Sequence, residues 1–167
     1  MIGYAQSEND TKEEQVEFLA CVDVKNVAKG SEATNYKKEF DIKIGATLTV
    51  CSSAWKIGLF YENFHVIGFY KVSAGVGYQF EPIKNLRITP FMERSLIIRQ
   101  GNVEPFYETN SKFHGADFRV NVKYRIVENL YGGFNGGFEL RGDKKEAGYT
   151  DWIVINFNAE ISYVIYY

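Results

Sequence analysis

The sequence predicts an all-β chain folded as an eight-stranded antiparallel up-and-down barrel. Three observations carry this: nearly every segment after Glu14 alternates apolar and polar residues at a spacing of two, helical periodicity is almost absent, and the links between runs alternate in length. The 167 residues include 2 Trp, 12 Tyr and 13 Phe, and 46% are hydrophobic, so most of the chain can bury far more apolar surface than a disordered segment would. Nineteen Lys+Arg against 21 Asp+Glu leave a net charge of −2, which speaks against a general nucleic-acid binder. No stretch approaches the roughly 18 consecutive apolar residues of a membrane helix, which leaves a membrane β-barrel open.

The runs follow in order. The first sets Val16, Phe18, Ala20, Val22 and Val24 against Glu17, Cys21, Asp23 and Lys25. The second sets Ile42, Ile44, Ala46, Leu48 and Val50 against Lys43, Gly45, Thr47 and Thr49, and the third sets Trp55, Ile57, Leu59 and Tyr61 against Lys56, Gly58, Phe60 and Glu62. In the fourth, Tyr70, Val72, Ala74, Val76, Tyr78 and Phe80 alternate with Lys71, Ser73, Gly75, Gly77 and Gln79. The fifth places Leu86, Ile88, Met92, Leu96 and Ile98 opposite Arg87, Thr89, Glu93 and Ser95. Arg94 interrupts its apolar side, and Pro90 marks a bulge or weakly paired position. The sixth, 116–126, is the cleanest. The seventh, 130–141, mixes Phe134 and Phe138 with glycines, and the eighth runs from Ile153 to Tyr167.

Long or medium links (26–37, 63–68, 100–111, 142–150) follow the odd-numbered runs, and tight links (52–54, 81–84, 127–129) follow the even ones. In an up-and-down meander these two sets fall on opposite ends. Cys21 and Cys51 are too few for a disulfide scaffold and have no Cys or His at metal-ligand spacing. The stretch before Cys21 is charged where a lipoprotein signal needs an apolar run.

The direction of the apolar face separates a soluble barrel from a membrane barrel. Glycines at 45, 58, 75, 77, 133 and 137 lie on the polar face beside Lys and Arg, which suits a crowded lumen. About ten residues at ~3.3 Å, tilted roughly 40°, give about 25 Å, the height of an outer-membrane apolar band. Rings gather at both ends: Trp55, Tyr78, Phe80, Tyr124, Tyr163 and Tyr167 toward the tight turns, and Tyr36, Phe40, Tyr61, Phe69 and Phe113 toward the long links.

At the C-terminus, Ile161, Tyr163, Ile165 and the terminal aromatic Tyr167 are in phase. Here the chain resembles the small outer-membrane β-barrels of the OmpA/OmpX/OmpW type, over residues 14 to 167, with Tyr in place of the commoner Phe. The resemblance implies a transmembrane β-barrel in the outer membrane of a Gram-negative bacterium. It also implies that Ile161, Tyr163, Ile165 and Tyr167 form the signal read by the barrel-assembly machinery. On this reading both termini are periplasmic, residues 1–14 form a flexible lead-in and residues 15–167 the barrel domain.

With the polar face inward, a lumen ion-pair network is expected from Lys43, Lys71, Arg87, Glu93, Asp117, Arg119, Lys123, Arg125, Glu139, Arg141 and Glu160, together with Glu17, Asp23, Glu62, Lys25 and Lys56. The near balance of sign suits a filled barrel, not a pore. His65 and His114, with Ser95, Ser111, Asp117 and Glu108 as candidate neighbours, are not joined by any catalytic motif. Glu104, Glu108 and His114 do not have metal-ligand spacing, 129–137 lacks the Lys of a phosphate loop, and Arg141-Gly142-Asp143 is only a tripeptide. No catalytic residue, cofactor or metal is expected. The expected role is structural or interaction-based, in contact with outer-membrane lipid, as a free-standing barrel or an accessory subunit of a larger outer-membrane complex. The competing readings are a soluble lipocalin-like barrel with an apolar ligand and a lipid-modifying outer-membrane enzyme.

Overall fold

Each alternating run forms a strand because its β-branched and aromatic residues fit one face of a pleated wall while its polar residues occupy the other. The structure, a computed structural model, describes residues 14–30, 40–50, 54–100 and 111–167. The strands are β1 (Gln15–Asp23), β2 (Ile42–Thr49), β3 (Trp55–Phe64), β4 (Phe69–Tyr78), β5 (Phe80–Ile83), β6 (Leu86–Arg99), β7 (Ser111–Val127), β8 (Leu130–Arg141) and β9 (Ile153–Tyr166). Consecutive strands pair antiparallel except β4 and β5, which both pair with β6, and β1 pairs with β9 from Gln15↔Tyr166 to Asp23↔Asn158. Since β4 and β5 are two pieces of one stave broken at Gln79, eight staves close the ring. Pro90 sits at that break: β6 pairs with β4 up to Phe91↔Gly77 and resumes with β5 at Ile88↔Phe80. A residue without an N–H belongs where one partner ends and the next begins.

At the tight-turn end, Asn85 takes φ 71° and its N–H donates to Glu81 Oε1 at 2.7 Å. Asparagine tolerates this left-handed position better than most residues. At the other end two short helices appear that strand periodicity did not predict. They are α1 (Val24–Lys29), capped by Asp23 accepting from the Asn26 N–H, and α2 (Gly142–Glu146). Both span only a few residues and carry no readable 3.6-residue period. The two strands flanking 101–110 also run further than expected, β6 to Arg99 and β7 from Ser111.

The wall has one polarity throughout. Phe18, Ile44, Leu59, Val76, Met92, Phe118, Phe134, Ile155 and Ile161 are exposed on its outside, while Glu17, Lys56, Lys71, Glu93, Arg119, Lys123 and Glu139 are buried inside. Apolar outside and charged inside is the arrangement of a membrane-spanning barrel. A lipocalin-like barrel has the opposite arrangement, with its apolar face lining the interior.

The polar-face glycines make room in two ways. Side chains at Gly45, Gly58 and Gly77 would run into the inward rings of Phe60 and Phe91, and at Gly133 and Gly137 into the backbone of β7. Trp55, Tyr78, Phe80, Tyr124, Tyr163 and Tyr167 are exposed on the outside at the turn end, as are Phe40 and Tyr61 toward the other. Phe69 and Phe113 depart from the expected belt. They point inward and pack with Phe64 and Ile97 in a buried apolar cluster, because at positions 69 and 113 the strand phase faces the lumen. Tyr36, Cys51, Glu104, Glu108 and nearly all of the 1–14 lead-in lie outside the described residues.

Candidate functional site

Among the described residues, the buried charged side chains gather in the lumen and stack in tiers from the turn end to the loop end. At the turn end, Arg87 Nη2 donates to the Tyr166 hydroxyl at 2.9 Å, and its guanidinium lies 4.1 Å from the centre of the Tyr131 ring. The Tyr131 hydroxyl accepts from Arg125 Nε at 2.9 Å and lies 3.1 Å from that of Tyr166. Arg87 and Arg125, expected within the ion-pair network, therefore belong to a tyrosine-centred group. The buried Tyr131 offers both a ring face and a hydroxyl at this level, and the sequence reading had not used it.

Above it, Glu17 holds Lys56 at 2.9 Å and also pairs with Lys123, which reaches Glu160 at 3.1 Å. Glu160 accepts from Asn135 Nδ2 at 2.8 Å, beside the free thiol of Cys21. The middle tier is Glu93, contacted by Lys43 at 3.1 Å, Arg119 at 2.8 Å and the Ser73 hydroxyl at 2.6 Å. Arg119 also lies over the Phe60 ring, 4.2 Å from its centre, which compensates part of its desolvation. The next tier gathers three acids around one ammonium. Lys71 Nζ stands 2.7 Å from Glu62, 3.1 Å from Asp117 and 3.1 Å from Glu139.

The loop end is closed by a clamp on α2. Asp143, fully buried, is held by Arg141 Nη2 at 2.6 Å and Arg99 Nη2 at 2.8 Å, and both guanidiniums lie over the Phe69 ring. Burial alone would raise the Asp143 carboxyl, but the hydrogen bond from Arg141 and the charges of Arg141 and Arg99 hold it below its ordinary value. The tripeptide 141–143 is thus an internal clamp and not a displayed motif. Just outside β2, Asp41 behaves oppositely: burial, then the like charges of Glu62 and Asp23, push its carboxyl up to about 8. Arg99 and Asp143 were missed in the sequence. Arg99 is in phase with Glu93, Ser95 and Ile97, but the predicted strand stopped one residue short of it.

These tiers leave a cavity of about 30 Å³ among Asp41, Lys43, Glu62, Asp117, Arg119 and Asn158. That is room for a water or two, not for a channel. Asp23 caps α1, and Lys25 is exposed on that helix, outside the lumen. The catalytic candidates are divided by the wall: His114 is exposed on the outer face of β7, whereas Ser95 and Asp117 are buried inside. His65 is exposed in the turn before β4, with its Nδ1 3.1 Å from the Tyr70 hydroxyl. Among the described residues, no three His, Cys, Asp or Glu side chains are placed to hold a metal ion.

Solved structures share this architecture. The outer membrane protein Ail of Yersinia pestis, determined in phospholipid bilayer nanodiscs, superposes with a TM-score of 0.56 at 8% identity, over 92% of this chain and 99% of that one. The fold is a small outer-membrane-type β-barrel. Neisserial surface protein A matches at 14% identity over 92% of this chain and 96% of that one, with a TM-score of 0.49. No protein-family model matches the sequence, and no curated protein matches it significantly. The likeness thus lies in strand number, order and closure, with the side chains almost wholly replaced. Ile161, Tyr163, Ile165 and Tyr167 all project outward on the last stave, and the Tyr167 N–H donates to the Glu14 carbonyl at 3.1 Å.

Proposed function

We propose that the protein resides in the outer membrane of a Gram-negative bacterium and serves a structural or interaction role, not a transport or catalytic one. Both termini then lie on the periplasmic side and the loop end of the barrel faces outward. The observation that carries this reading is the filled lumen: the tiers around Glu17, Glu93, Lys71 and Asp143 occupy the interior while the apolar residues look out. An eight-stranded barrel is only wide enough for side chains, and bonded charges fill this one. The orientation is supported by the loops, since bacterial barrels keep short turns in the periplasm and longer loops outside. Arg94, outward on β6, places a formal charge on the barrel wall, and lateral association with a larger complex would use such a wall.

Expression with an export signal, followed by fractionation, tests the location: extraction that depends on detergent and a heat-modifiable gel band are expected. The purified barrel is expected to give no steady conductance in planar bilayers, and an open-channel current would overturn the filled-lumen reading. A pull-down from native membranes in mild detergent then reads the role. Co-purification of a larger outer-membrane complex identifies an accessory subunit, and recovery alone a free-standing barrel.

A further inference from the structure

The outer wall carries a cationic group that the lumen does not use. On β6 and β7 the even-numbered residues face out, and three of them, Arg94, His114 and Lys112, are exposed. The register steps them toward the loop end, with His114 between Arg94 and Lys112, whose rows are about 13 Å apart along the strand. Arg94 pairs with Ala116, His114 with Leu96 one step nearer the loop end, and Lys112 with Ile98 beyond that. On its other side Arg94 pairs with Ala74, so two alanines flank it and leave the guanidinium uncovered. The row Arg94, Ala116, Leu140 is next to the last row in which β8 pairs with β7, and His114 and Lys112 stand past it. Directly toward the turn end come Met92, Phe118 and Phe138, all exposed and apolar. The cations therefore lie on the loop-end side of these rings, beside the half-buried Leu96 and Ile98 that continue the outward face of β6.

A charge facing hydrocarbon is costly unless it reaches the interface or meets a counter-charge, and Arg and Lys side chains do both by extending toward headgroups. Among the described residues, no acidic side chain pairs with these three. We propose that Arg94, Lys112 and His114 bind the phosphate of an outer-leaflet lipid whose acyl chains lie along Met92, Phe118 and Phe138. A phosphomonoester presents three acceptor oxygens and up to two negative charges to neighbouring donors. Arg engages it in a fork and Lys as a point charge. The inference rests on the proposed outward orientation of the loop end.

The test uses the folded barrel in detergent with three probes: diphosphoryl lipid A, the same lipid dephosphorylated, and inorganic phosphate, with binding read by native mass spectrometry. The wild type is expected to retain the diphosphoryl lipid about tenfold more tightly than the dephosphorylated one, and the Arg94→Gln/Lys112→Gln variant to lose that preference. Arg94→Lys, which keeps the charge, is expected to preserve it. A double variant with the wild-type preference, a wild type with none, or inorganic phosphate held as tightly as the lipid would overturn the proposal. Heat-modifiability of each variant separates the two readings: a folded barrel without lipid preference removes only this site, whereas a chain that never yields a detergent-dependent barrel removes the membrane reading beneath it.

Discussion

Lys71 Nζ lies 3.1 Å from Glu139 Oε1, and both side chains are 1% exposed. The same ammonium holds Glu62 and Asp117, so three acids share one cation, with Arg141 Nε 3.7 Å from Glu139 as a further positive neighbour. Removing one partner from a buried pair typically costs about 3 to 5 kcal/mol, because the remaining charge stays in low dielectric. Lys71→Met takes the ammonium from three carboxylates at once, of which Glu139 keeps Asn156 Nδ2 at 3.2 Å, and is expected to fall within that range. Urea titration of the reconstituted barrel, read by loss of the heat-modifiable band, measures it, and a midpoint unchanged from wild type would refute a packed charged lumen.

Arg119→Leu is expected to cost less. Its partner Glu93 keeps Lys43 at 3.1 Å and the Ser73 hydroxyl at 2.6 Å, so the acid is not abandoned. A loss of about 1 to 3 kcal/mol follows, in the range of a hydrogen bond to a charged group. Unfolding midpoints in the order wild type, Arg119→Leu, Lys71→Met are the expected outcome, and a reversal of the last two would show that the Phe60 and Phe91 rings around Arg119 matter more than charge balance.

Much of this wall was legible because a period of two leaves no freedom: once Val16 and Phe18 face outward, Glu17 and Leu19 must face the axis. Which charges meet was not legible. Lys71 on β4 reaches Glu139 on β8 across the lumen, and that choice depends on stave stagger and side-chain length, not on either local pattern. The loop-end clamp was hidden for a different reason. Asp143 lies past the end of β8, in a helix too short to show a period, and nothing local marks it as buried. Rings near strand ends usually sit in an interfacial belt, but the phase of Phe69 and Phe113 turns them inward.

Gly45 lies against the inward ring of Phe60, and a side chain there would enter the space of the ring's Cδ1. Gly45→Val is expected to destabilise by about 1 to 3 kcal/mol through overpacking. The informative comparison is Gly45→Ala with and without Phe60→Leu. If crowding is the cause, the smaller residue at 60 restores most of the loss made at 45, and strictly additive losses would place the cause in the backbone.

Asp41 gives a pH dependence with a definite sign. Its folded carboxyl titrates near 8, raised from the ordinary value, and one oxygen is buried with no hydrogen-bond partner. The folded state thus holds a proton that the unfolded chain releases above about pH 4, so this residue lowers stability as pH rises from about 4 to 8 and adds no further change above that. Asp41→Asn removes the effect. Its advantage in urea midpoint over wild type is expected to be small near pH 4.5 and to grow to a plateau near pH 9, and an advantage equal at both ends would deny the shift.

Asp143 has the opposite sign. Arg141 and Arg99 hold its carboxyl below the ordinary value despite burial, so the docked α2 favours the deprotonated form more than an undocked one does. The stabilisation is complete above the free carboxyl's pKa of about 4 and disappears as pH falls through the depressed value. Hydrogen-exchange protection of residues 142–146 is therefore expected to hold from neutral pH to about 4 and to drop below it, while the strand amides stay protected. Asp143→Asn should remove that protection at every pH, since the amide keeps the shape but loses the charge that two guanidiniums converge on. Arg87→Gln, at the opposite end of the lumen, serves as the control and should leave α2 protected. Equal protection in Asp143→Asn and wild type would mean that α2 is held by the Phe64, Phe69, Ile97 and Phe113 cluster beneath it and not by the clamp.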